Sequence, residues 1–136
     1  CVDTAEKASA FLSMDTALAC SGTVTTELGL AGVPMVVAYK MGWITWALAR
    51  FLLYKAPYVT LMNMAANVEV APEFIQTKMT PTRIAQAVQA MINDPAQRAE
   101  QTRQQNLALD LMGRNKAPAA EVATGAILDF LSNKRD

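Results

Sequence analysis

The sequence predicts an α/β fold in which a fragment of parallel sheet is followed by a helical carboxyl-terminal tail. Three observations carry that expectation. Residues 16–40, TALACSGTVTTELGLAGVPMVVAYK, read as strand, tight turn, helix, tight turn, strand. Residues 57–61, PYVTL, form another short run rich in strand formers. From Thr80 onward, three stretches with apolar residues at helical intervals open on Thr80-Pro81, Asp94-Pro95 and Pro118, the position proline prefers at a helix start. These strands are too few for a complete doubly wound domain.

Composition narrows the function classes. At 136 residues the chain is one domain's worth. Hydrophobic residues make up 52% and charged residues only 18%, so some apolar surface is expected to be covered by a partner, a second domain or lipid. Twelve Lys plus Arg balance twelve Asp plus Glu, which excludes the basic field of a nucleic-acid binder. Histidine is absent, and with it His-ligated zinc and any Ser-His or Cys-His nucleophile made within this chain. The two cysteines, Cys1 and Cys20, have neither metal-ligand spacing nor the density of a disulfide scaffold. Cys20 ends an apolar strand and is expected to be a buried thiol. The opening Cys1-Val2-Asp3 lacks a methionine or a leader pattern and reads as a start inside a larger protein.

In chain order, Val2 reads as the end of a strand. Asp3 with Glu6 is a capping-box pattern, and Ala5, Ala8, Phe11 and Leu12 give the following helix an apolar stripe as far as Ser13. Residues 16–20 are the first strand, Ser21-Gly22-Thr23 breaks it, and Val24, Leu28 and Ala31 share one face of the next helix. The strand at residues 34–38 completes a βαβ unit. Its small hydroxylated turn then lies at the carboxyl end of the first strand, where open α/β sheets bind ligands. Unpaired N–H groups and the positive end of the helix dipole suit a phosphate there.

With Thr23 as N-cap, Glu27 falls one residue too late for a capping box. It lies one turn on, roughly 5–6 Å away between Cβ atoms. That spacing suits phosphate at the helix start and a ribose diol one turn along; the plainer alternative is a solvated acid favoured by the dipole. Lys40, in the loop after the second strand, lies at the same end of the sheet as Ser21 and can reach a phosphate or remain a surface lysine.

Residues 43–54, WITWALARFLLY, read as a helix with Ile44, Leu48, Phe51 and Leu52 on a core face and Trp43, Trp46, Arg50 and Tyr54 on the other. It is shorter than the roughly 20 residues that cross a bilayer. Its aromatic face suits the membrane interface, an acyl chain or another domain. Residues 57–61 follow as a strand, residues 62–69 as a polar connection, and Pro72 as the start of a short helix through Gln76. The Thr80-Pro81 helix carries Ile84, Val88, Met91 and Ile92. The Asp94-Pro95 helix runs to about Met112, where Gly113 stops it; its sparse face of Ala99, Leu107 and Leu111 predicts a surface position. The last helix has Ala123, Ile127, Phe130 and Leu131 on one side.

Two blocks together carry a resemblance. SGTVTTELGLAGVPMVVAYK at 21–40 and YVTLMNMAANVEVAPEFIQ at 58–76 resemble the carboxyl-terminal domain of the lipid-A-disaccharide synthases, glycosyltransferases of the two-domain GT-B architecture. The sequence departs from that pattern in having Met62-Asn63 for Pro-Asn, Asn67 for glycine and Lys40 for arginine. Lysine keeps the charge and gives up the guanidinium fork. The resemblance implies a Rossmann-like parallel sheet fragment, the second half of a GT-B enzyme, with residues 1–93 as the UDP-sugar-binding part and residues 94–136 as carboxyl-terminal helices.

It implies a donor, UDP-2,3-diacylglucosamine, and an acceptor, 2,3-diacylglucosamine 1-phosphate, giving lipid A disaccharide 1-phosphate and UDP. It assigns Ser21, Gly22 and Thr23 to the diphosphate and Glu27 to the ribose hydroxyls, with Lys40, Asn63 and Gln76 as further donor contacts. Glu69 and Glu73 read equally as solvated or capping residues. The catalytic base is expected in an amino-terminal domain, no metal or cofactor is called for, and a homodimer is compatible with it. A cytoplasmic enzyme held peripherally on the inner membrane of a Gram-negative bacterium follows. Two rival readings are a GT-B enzyme using non-acylated UDP-N-acetylglucosamine and a non-catalytic, membrane-associated interaction module.

Overall fold

The computed structural model describes residues 3–43, 57–117 and 119–133. A 3₁₀ turn at Thr4–Glu6 runs into α1, Lys7–Leu12. Then come β1, Ala17–Ala19, α2, Thr23–Leu30, and β2, Met35–Tyr39. The chain continues through α3, Leu61–Ala66, β3, Glu73–Ile75, and a 3₁₀ turn at Gln76–Lys78. It closes with α4, Pro81–Asn93, α5, Pro95–Leu111, and α6, Ala119–Asn133.

Among the described residues the sheet has the order β1-β2-β3 and both pairings are parallel. Ala17 lies opposite Met35 and Ala19 opposite Val37, while Val37 pairs with Glu73 and Tyr39 with Ile75. β2 is central and buried from Met35 through Ala38, which is why its sequence is an unbroken apolar run. Ala19, Met35 and Val37 join Leu28 of α2, Met62 of α3 and Ala108 and Leu109 of α5 in one core. Val36 and Ala38 project to the opposite face, and α4 packs against β2.

The turn between α2 and β2 is fixed by Gly32. It takes φ +71°, and its N–H bonds the Gly29 carbonyl while Val33 N–H bonds the Leu28 carbonyl, at 3.0 and 2.9 Å. This is a Schellman close, with Leu28 and Val33 together in the core beneath it. Downstream, Asp94 Oδ1 accepts from Ala96 and Gln97 N–H, and Arg98 Nη1 donates to the Met91 and Ile92 carbonyls. One residue thus caps the start of α5 while another closes the end of α4.

α5 differs from its expected surface position. Gln101, Gln105, Ala108 and Leu109 are buried, whereas Ala99, Leu107 and Leu111 are exposed. β2 begins before β3 does, so the first backbone groups of β2 have no strand beside them on that side. Gln101 fills the gap: its Oε1 accepts from Met35 N–H at 2.7 Å, and its Nε2 donates to the Met35 and Val70 carbonyls at 2.9 and 3.1 Å. Gln105 Nε2 reaches the Val33 carbonyl and Thr102 Oγ1 the Gly32 carbonyl. The buried face is polar because what it covers is backbone, and apolar periodicity does not register it.

Other expectations are corrected. Residues 57–60 are not a strand but lead into α3, which replaces the expected connection at 62–69. The expected short helix from Pro72 to Gln76 is strand β3, with Val37 N–H bonding the Pro72 carbonyl at 2.9 Å. Proline fits the residue before a strand as well as the first turn of a helix, and three residues are too few for periodicity to decide. On α1 only Phe11 of the expected stripe packs on the core; Ala5, Ala8 and Leu12 are exposed. On α4, Ile92 is exposed, and on α6 Ala123, Ile127, Phe130 and Leu131 all are. The aromatic helix expected at 43–54 lies outside the described residues apart from exposed Trp43.

Gln101→Ala leaves the N–H and carbonyl of Met35 in β2 and the carbonyl of Val70 without this partner, at roughly 1–3 kcal/mol for each buried group. The expected outcome is a loss of about 3 kcal/mol in unfolding free energy, read from the urea midpoint. A loss below about 0.5 kcal/mol would show that Gln101 does not support β2.

Candidate functional site

Parallel pairing brings the carboxyl ends of β1, β2 and β3 to one edge, and each leads into a turn bearing polar residues. At the end of β1, Gly22 adopts φ +150° and ψ −164°, a conformation essentially confined to glycine. A Cβ there would meet nothing within 4 Å, so the requirement is conformational and the space in front of the turn is open. Gly22, not Thr23, is the N-cap of α2, because the chain turns into helix one residue earlier than expected.

No side chain caps this helix start. The Gly22 carbonyl accepts from Thr25 N–H at 3.1 Å and from Thr25 Oγ1 at 2.7 Å, which pins the turn from its buried side. Thr23 and Val24 then present the N–H groups that a helix start leaves without an intrahelical acceptor. Ser21 is half-buried, and Gly22 and Thr23 are exposed. Cys20, expected to be a buried thiol, is exposed: the strand ends at Ala19, so Cys20 belongs to the open turn.

Glu27 stands one turn along α2 and is part-exposed. Its Oε2 forms an ion pair with Lys7 Nζ of α1, and the lysine ammonium also lies 5.5 Å from the centroid of the Phe11 ring. Lys7 carries no signal in the sequence, since its partner is 20 residues away.

At the ends of β2 and β3, Lys40, Met41, Trp43, Gln76 and Thr77 line a cavity of about 250 Å³. Gln76 follows β3 directly with φ +51°, and its side chain joins the two strand ends. Its Oε1 accepts from Met41 N–H and its Nε2 donates to the Met41 carbonyl, both at 3.2 Å. Of the residues singled out in the sequence, Lys40 and Gln76 therefore share one cavity at the edge that also carries Ser21, Gly22 and Thr23. Met41 and Thr77 line the cavity too, and nothing in their residue types marks them.

Asn63 is placed differently from its expected contact with a donor. It is fully enclosed, with its Nδ2 donating to the Ala71 carbonyl and to Glu73 Oε1 and its Oδ1 accepting from Ala71 N–H. Glu73 is a capping residue. Its Oε1 accepts from Thr60 N–H at 2.6 Å and Asn63 Nδ2 at 2.8 Å, and its Oε2 from Val59 N–H at 3.0 Å. Three donors converge on a buried carboxylate and tie β3 to the start of α3. Glu69 Oε1 approaches Glu73 N–H at 3.5 Å. Among the described residues no three acidic or thiol side chains gather closely enough to hold a metal ion.

Among the described residues, a three-stranded parallel sheet whose carboxyl edge carries an uncapped helix start and a cavity lined in part by Lys40 places the chain in the class of α/β folds that take ligands at that edge. The chain itself belongs to the lipid-A-disaccharide synthetase family, whose model matches residues 2–127. Lipid-A-disaccharide synthase of Ruegeria pomeroyi is 39% identical over 125 residues, covering 92% of this chain and 30% of that protein. The Paramagnetospirillum magneticum synthase is 36% identical over 132 residues, 96% of this chain and 34% of the relative. That of Granulibacter bethesdensis is 42% identical over 92 residues, covering 68% and 23%. The chain thus spans about a third of the length of the first two.

At two positions where the resemblance leads one to expect another residue, the structure suits the one present. Asn67 closes α3 at φ +53° and ψ 29°, a left-handed position that asparagine tolerates in place of glycine. Met62 stands in the first turn of α3, where proline is also accommodated because that N–H has no intrahelical acceptor.

Glu73→Gln places an amide N–H₂ against backbone donors already aimed at the carboxylate. A loss of about 1–3 kcal/mol in stability is expected from urea unfolding, the scale of a buried donor left unpaired. An unchanged midpoint would mean that the carboxylate is dispensable.

Proposed function

We propose that this chain is the donor-nucleotide half of a hexosyltransferase of lipid A assembly. The enzyme joins UDP-2,3-diacylglucosamine to 2,3-diacylglucosamine 1-phosphate and releases lipid A disaccharide 1-phosphate and UDP. The observation that carries the reading is the glycine-turned, uncapped start of α2 at the carboxyl edge of the sheet. Family membership supports lipid A chemistry, and an acylated donor is the reading that accords with a lipid-A-disaccharide product.

In this reading the acceptor hydroxyl attacks the anomeric carbon as the bond from that carbon to the UDP oxygen breaks. Negative charge grows on the departing diphosphate. The N–H groups of Thr23 and Val24, the dipole of α2 and the Ser21 hydroxyl face that charge, and Gly22 lets the backbone approach it closely. Lys40 adds a mobile cation from the end of β2, and Gln76 holds the Met41 backbone beside it. Glu27 accepts from the ribose hydroxyls. The base that takes the acceptor's proton belongs to the two-thirds of the enzyme outside this chain. Residues 1–93 act as the UDP-sugar unit and residues 94–136 as helices that support it, with α5 packed on α2 and α3. Two acylated substrates call for peripheral contact with the membrane. Among the described residues no helix is long and apolar enough to cross it.

The test uses the full-length enzyme. UDP at about 100 times its Kd is expected to stabilise the protein by about 2.7 kcal/mol, seen as a raised melting temperature. Glu27→Ala should reduce that shift, and turnover should require the acylated donor. An unchanged melting temperature at saturating UDP, or turnover of only the non-acylated UDP-sugar, would reject the proposal.

A further inference from the structure

We infer that Lys7 is a positioning residue for the nucleotide's ribose, acting through Glu27; the inference rests on the donor-nucleotide reading. A glutamate side chain has three rotatable bonds, and an acid that must accept from a vicinal diol gains from being held before the ligand arrives. Glu27 is held from one side. Lys7 of α1 pairs with its Oε2, and the partners come from separate helices 20 residues apart, so the contact is made by the fold and not by helical neighbourhood.

Lys7 has a second contact. Its ammonium stands 5.5 Å from the Phe11 ring centroid, and Phe11 is the α1 residue that packs on the core. The chain of support therefore runs from the core through Phe11 to Lys7, and from Lys7 to the carboxylate one turn beyond the Ser21-Gly22-Thr23 turn. Both charged side chains keep more than 40% of their surface, so the pair contributes little to stability. A half-open carboxylate with one oxygen held by a cation retains lone pairs for two hydroxyl donors. The lysine also offsets part of the repulsion between Glu27 and a diphosphate bound at the same helix start.

Binding of UDP and 2′-deoxy-UDP to the full-length protein, measured by titration calorimetry, separates this role from a structural one. Unaltered protein should prefer UDP by about tenfold, the scale of one hydrogen bond to a charged acceptor. Lys7→Met should lower that preference to about twofold or less, and Lys7→Arg should keep most of it. In a Glu27→Gln background, Lys7→Met should cause no further loss of preference. A Lys7→Met protein that binds UDP and retains the full preference overturns the inference alone. So does an equal further loss in the Glu27→Gln background, which would make Lys7 a direct contact. Should Lys7→Met fail to fold, the same two comparisons made with Lys7→Gln decide the matter. Absence of UDP binding by the unaltered protein overturns the nucleotide reading and this inference with it.

Discussion

Parallel pairing of three short strands is the constraint on which the remainder of the structure depends. Parallel strands cannot be joined by hairpins, so the chain must return over a face of the sheet before each new strand, and every carboxyl end arrives at the same edge. That puts the turn after Ala19, the loop after Tyr39 and the turn after Ile75 side by side. Ser21, Lys40 and Gln76 are far apart in sequence and share an edge for this reason alone.

Short strands leave much backbone without a partner strand, and this protein answers with side-chain amides and a carboxylate. Gln101 completes the hydrogen bonds at the start of β2, Glu73 gathers the donors before α3, and Gln76 binds both backbone groups of Met41. Gln101 and Glu73 lie away from water, which makes their deletion costly. The site edge is correspondingly firm at β2 and β3. At β1 the constraint is different: an unusual glycine conformation and a buried threonine aim an otherwise uncapped helix start outward.

The first βαβ unit is legible in the sequence, because Gly22 and Gly32 punctuate it and Leu28 marks the buried side of its helix. The caps at Thr80 and Asp94 are equally plain, since proline at a helix start leaves few alternatives. The third strand is not: Pro72 fits a helix start equally well, and Tyr58-Val59-Thr60 looks more like a strand than the one that exists. The burial of α5 escapes notice because Gln101 and Gln105, which share its buried face with Ala108 and Leu109, read as solvent-facing until the backbone they serve is known. In the candidate site, Ser21, Gly22, Thr23, Lys40 and Gln76 follow from turn position and resemblance. Lys7 needs the meeting of α1 with α2, and the enclosure of Asn63 needs the path of residues 70–73.

Everything at this edge turns on whether the start of α2 receives a diphosphate. A crystal structure of the full-length protein with UDP tests this most directly. The expected result is diphosphate oxygens within about 3 Å of the N–H groups of Thr23 and Val24, the usual hydrogen-bond distance, with the ribose against Glu27. UDP seated away from the carboxyl edge of β1, with the Gly22 turn facing only solvent, would contradict it.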